Sequence, residues 1–143
     1  MTSSSAGTSD AFAPFSNGRS TINSVLAAPR VLYQAVSGPY TLDMARAQLA
    51  HFEQLLRAGG PAQVFTDACA TPTAATDARE LTTRWIERHG HQLELHILQR
   101  SALLEMAIRV VSLFARGRLH SYTDRAAFEA ALRKQAPGFR PPA

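Results

Sequence analysis

One cysteine, one lysine and the want of any long apolar run are the scarcities of this 143-residue chain. Cys69 alone cannot close an internal disulfide, so a reducing, cytoplasmic setting is expected. The longest apolar stretch, residues 102–115, is broken by Glu105, Arg109 and Ser112 and falls short of the roughly 18 to 20 residues of a membrane span. No transmembrane segment is expected. The opening MTSSSAGTSD has no positive charge and no apolar core, which argues against a secretory signal. GxGxxG, P-loop and GxSxG patterns are missing as well, removing the common nucleotide and hydrolase signatures.

What charge there is sits mostly at one end. The net charge is +4, and Arg133, Lys134 and Arg140 lie in a tail without acids, leaving 12 basic against 11 acidic residues elsewhere. A nucleic-acid module gathers its basic residues on a folded face, so a near-neutral body excludes that partner. Arginine outnumbers lysine 14 to 1, a bias that suits carboxylate or phosphate forks and follows equally from genome composition.

Length and composition fit one globular domain. Residues 1–18, rich in Ser, Thr, Ala and Gly, read as a disordered leader, residues 19–135 as the domain, and residues 136–143, with three prolines and a glycine, as a flexible tail. Within the domain, runs of strand type alternate with runs of helix type. Residues 21–26 (TINSVL) and 31–36 (VLYQAV) predict a hairpin. From Thr41, Leu42, Ala45, Leu49, Phe52 and Leu56 recur on one helical face until Gly59 and Gly60. Residues 63–68 predict a strand, and Asp77 with Glu80 a capping box for a second helix. Residues 93–98 (LELHIL) predict a central strand. Ser101 caps a third helix running to about residue 115. A last strand at 118–122 and a fourth helix after Thr123 or Asp124 complete the order β-β-α-β-α-β-α-β-α. Right-handed crossovers then give an α/β fold, with a mostly parallel four- to five-stranded sheet, an antiparallel N-terminal hairpin strand and four helices.

This order, the entry VLYQAVSGPYTLDMARAQLAHFEQLLRAG and the exit RLHSYTDRAAFEAALRK resemble the STAS domain of bacterial anti-sigma-factor antagonists and the related SpoIIAA-like group over residues 21–134. The resemblance implies a non-enzymatic regulatory and signalling domain that binds another protein, such as a kinase-like partner. It also implies a phosphorylatable serine in the turn before the second helix. Here that turn runs through residues 67–77 with no serine and no following glycine. Thr73 and Thr76 are the hydroxyls left as candidate phosphorylation sites, while Asp77 can act as an N-cap or stand in for a phosphate.

The third helix carries the most functional information. Apolar residues occupy most of its sides, and Glu105, Arg109, Ser112 and Arg116 form one narrow polar stripe. A sheet-covering helix needs only one apolar stripe, so either the second and fourth helices bury the surplus or it meets another chain. Met106, Val110 and Leu113, together with Thr73, Thr76 and Asp77, are the expected partner surface, for a different protein or a homodimer.

Catalytic and metal readings have little to stand on. Cys69 precedes a helix, where a thiolate can be stabilised, yet no histidine lies near it in sequence and a lone cysteine is more often a small buried apolar residue. His89 and His91 flank Gly90 at a helix end, His96 lies within a strand, and no Cys or carboxylate completes a ligand spacing, so no metal or cofactor is expected. Asp67 and Glu94 sit on different strands without an acid–base partner. A second functional class remains open. A small-molecule or lipid-binding SpoIIAA-like domain would need an apolar pocket near the first or third helix, lined by residues such as Phe52, Leu56 and Phe114.

Overall fold

The computed structural model describes residues 12–142. Six strands form one sheet in the order of the chain: β1 (Phe15–Ser16), β2 (Thr21–Ala28), β3 (Val31–Ser37), β4 (Ala62–Ala70), β5 (Leu93–Leu98) and β6 (Leu119–Tyr122). The first three are antiparallel and the rest parallel. Helices α1 (Leu42–Arg57), α2 (Thr76–His89) and α3 (Ala102–Ser112) are the crossovers, and α4 (Arg125–Gln135) follows the last strand. The α/β class with its antiparallel opening and four helices is as the sequence implied; the strand it did not contain is β1.

Topology decides which side each helix takes. Every crossover steps one strand in the same direction, and right-handed connections that step one way leave their helices on one face of the sheet. Helices α1, α2 and α3 therefore share a face, packing over Leu32, Val64 and Leu95 at one end and Val36 and Ala68 at the other. After β6 no further parallel strand constrains the chain. Helix α4 crosses to the opposite face, where Phe128 and Leu132 cover Tyr33, Phe65 and Leu98.

Local signals explain most element ends. The side chains of Ser101 and Asp124 accept the backbone N–H groups of Leu104 and Ala126, capping α3 and α4. Gly59 and Gly60, both at positive φ, end α1. At Gly38 (φ 83°) a β-carbon would collide with the Arg19 carbonyl oxygen, so the turn after β3 requires glycine.

Some boundaries differ from expectation. Residues 1–11 of the expected leader lie outside the described residues, but residues 12–18 belong to the fold: β1 pairs with Thr21 and Ile22, and Phe12 packs edge-on against His51 at 5.6 Å. In the expected tail, Ala136 is buried and Phe139 lies 5.4 Å from the Tyr33 ring. Helix α3 ends at Ser112, and Arg116 (φ 51°) and Gly117 (φ 80°) turn the chain into β6.

Candidate functional site

Helix α3 divides its apolar residues between two faces. Leu104, Ala107, Ile108 and Val111, at the i, i+3, i+4, i+7 spacing, are buried toward the sheet. Leu103, Met106 and Val110 stay in solvent, as do Leu113 and Phe114 just past the helix end, with Met106 65% and Leu113 78% exposed. The fourth helix, expected as a cover, is on the other side of the sheet, and among the described residues nothing in the chain hides this face. The three expected partner residues Met106, Val110 and Leu113 thus lie on one exposed stripe, which the sequence under-counted by Leu103 and Phe114. A Glu105–Arg109 ion pair at 3.3 Å borders it.

The turn before α2 joins the start of α3. The Ser101 hydroxyl donates to the Pro72 carbonyl oxygen at 2.6 Å, drawing Thr73, Thr76 and Asp77 to the same end of the sheet as the α3 N-terminus. All three are exposed. The Thr73 carbonyl accepts from the Tyr40 N–H at 2.9 Å, and Thr76 Oγ1 accepts from Arg79 at 3.1 Å. Asp77 is not the N-cap. Helix α2 begins one residue earlier, at Thr76, with Ala75 as its cap; the Asp77 carboxylate accepts from its neighbour Ala78 at 2.8 Å instead. Glu80 leans toward Arg84 at 3.9 Å, so no capping box forms.

Between the helical layer and the sheet lies a cavity of about 90 Å³. Phe52 lines it as expected, whereas Leu56 and Phe114 do not: Leu56 packs into the neighbouring core and Phe114 faces solvent. Its walls are mainly apolar, with Tyr40, Thr66, Thr71, Arg79 and Thr82 as the polar exceptions among others. Thr71 is 2% exposed, and its hydroxyl has no hydrogen-bond partner among the described residues. An orphan of that kind costs about 1–3 kcal/mol.

Behind the cavity runs a chain of hydrogen bonds. Tyr40 O–H donates to Gln48 Oε1 at 2.7 Å and accepts from Thr82 at 2.9 Å. Gln48 donates to Gln34 at 2.9 Å, Gln34 to Ser24 at 3.1 Å, and Ser24 to His51 Nδ1 at 2.8 Å. His51 Nε2 then donates to the Ala13 carbonyl at 3.1 Å, which fixes the tautomer. Burial pushes the Tyr40 phenol up to about 12 and lowers His51, so both stay neutral members of the chain.

The opposite face carries a second group of titratable side chains. Cys69 lies within β4, not in the loop after it; burial and nearby Asp67 raise its thiol above the usual range, away from the thiolate form. Asp67 pairs with Arg125 at 3.0 Å, and Glu94 with His120 at 2.6 Å and Arg118 at 3.3 Å. His96 stacks on Phe65 at 4.1 Å, donates from Nε2 to Gln63 at 2.8 Å and accepts at Nδ1 from Tyr122 at 2.9 Å. Burial, then the charge of His120, holds it down to about 4. His89, by contrast, packs on Trp85 at 4.8 Å at the end of α2, and His91 lies in the short 3-10 turn Gly90–Gln92.

A mixed sheet with three crossover helices on one face and a closing helix on the other is a SpoIIAA-like fold. A solved structure with that fold is an uncharacterized protein of the DUF3478 family from Shewanella loihica PV-4. It is similar to 82% of this chain over 98% of its own length, with a TM-score of 0.58 and 18% identity. What the two share is the fold. No family model matches the chain, and no curated protein matches it in sequence. Among the described residues no helix is long and apolar enough to cross a membrane.

Proposed function

We propose that the protein is a cytoplasmic, non-enzymatic regulatory module that acts by binding another protein or a second copy of itself through the outer face of α3. One observation carries this reading: five large apolar side chains stand in solvent on, and in the turn just beyond, a single short helix whose inner face already satisfies the sheet. Exposed apolar surface of that kind is costly to keep and is characteristic of docking sites. The adjoining turn with Thr73, Thr76 and Asp77 extends the surface and offers hydroxyls at which phosphorylation would alter docking.

Sedimentation over a range of concentrations, with and without cell extract, tests the proposal. The expected result is a rise in mass that Leu113→Asp abolishes while the circular dichroism spectrum is unchanged. A wild-type protein that stays monomeric, with no companion lost in Leu113→Asp or Val110→Asp, overturns it. A second reading, small-molecule binding, is favoured by the cavity and its apolar walls.

A further inference from the structure

The cavity under the helical layer exists because short side chains meet where longer ones would close the space. Ala68 of β4, Ala74 of the turn before α2 and Ala107 of α3 all line it, and each brings a single methyl group. Around them stand Leu104, Ile108 and Val111 from the inner face of α3. The polar members of the lining are engaged elsewhere. Tyr40 bonds both Gln48 and Thr82, and Thr66 donates to Gln34. Arg79 lends its aliphatic stem, since its guanidinium reaches outward to the exposed Thr76 hydroxyl. The unpartnered Thr71 hydroxyl is shut away from the space. A buried water needs two to four polar partners, so a cavity walled in this way stays dry.

We propose that this cavity binds a small uncharged apolar molecule, an alkyl or alkenyl compound of roughly four carbons. The inference rests on the small-molecule reading above and fixes the class of its ligand. Atoms that line a void lack contact partners on one side, and an apolar occupant restores those contacts without displacing a single hydrogen bond. A charged group would be buried there unpaired, a state that strongly disfavours its entry. Size sets the other limit. An apolar cavity of 150 Å³ admits benzene, so about 90 Å³ suits roughly four carbons rather than a membrane-lipid tail.

The test is a methyl chemical-shift titration of the whole protein at neutral pH with butane, butyrate, butylammonium and xenon. Butane should shift the methyl groups of Leu104, Ile108 and Val111 along a saturating curve while those of Met106 and Leu113, on the outer face, stay in place. Butyrate and butylammonium should bind about tenfold or more weakly than butane. Ala107→Leu, which puts a branched chain into the space, should abolish butane binding and raise the thermal midpoint. If that variant does not fold, Leu104→Ala tests the site from the other direction: the enlarged void should take up benzene, and refusal of benzene counts against the site. Butyrate or butylammonium binding as tightly as butane overturns the uncharged class and leaves the small-molecule reading standing. Xenon saturating where butane does not overturns the alkyl ligand, by showing a void too small for its chain. Butane binding retained in Ala107→Leu, or shifts confined to the outer face, overturns the site. If neither butane nor xenon saturates, the small-molecule reading falls with it.

Discussion

Helices α3 and α4 are equal in length, 11 residues each, and lie on opposite faces of the same sheet. Helix α4 buries Phe128 and Leu132 and turns Arg125, Arg133 and Lys134 to solvent. Helix α3 buries four residues and still turns three large apolar ones outward, with Leu113 and Phe114 continuing the exposed stripe just past its end. The difference teaches that packing on a sheet consumes one stripe, and that what exceeds it belongs to another contact. Phe128→Ala should therefore cost about 3–5 kcal/mol in urea unfolding, because it opens a hole under α4. Leu113→Asp should move stability by only about 0.5 kcal/mol while changing association. Equal losses in the two variants would break the comparison.

Much of the α/β architecture was legible because long elements repeat their signal. Residues 93–98 are dense in apolar side chains, α1 keeps its period over four turns, and Ser101 and Asp124 are caps of the preferred type. Strand β1 was not, since two residues hold no period and its pairing with Thr21 and Ile22 is made by the Asn17–Ser20 turn. The side taken by α4 escaped as well; nothing in the periodicity of a terminal helix says which face it will cover. Asp77 misled because a carboxylate at a helix start resembles a cap wherever the first turn actually begins. The cavity was legible in part. Phe52 was on the right helix face, but Tyr40, Thr71, Arg79 and Thr82 come from separate segments, and only the sheet order brings them together.

Acid sharpens the contrast between the faces. His96 lies on the α4 side, with Gln63 and Phe65 from β4, Glu94 on its own strand, Arg118 just before β6, and His120 and Tyr122 from β6 around it. Tyr122 in turn touches Phe128 of α4 at 5.7 Å. Its folded-state value of about 4 is below the ordinary 6.5, so the unfolded chain binds the proton more readily. Stability is full above about pH 6.5 and falls as pH drops toward 4, by a total on the order of 3 kcal/mol. Urea midpoints across that window should show the fall, and His96→Gln should flatten it. Amide exchange near pH 4 should quicken in α4 before α3; the reverse order would place the acid-sensitive side wrongly.

A small effect of the opposite sign lies on the α3 side. Thr71 holds a buried hydroxyl that satisfies nothing in the chain, so Thr71→Val removes an orphan at nearly constant volume. It should raise stability by about 1 kcal/mol, read as a shift in thermal midpoint. A loss of stability would mean that Thr71 is already satisfied, by a buried water.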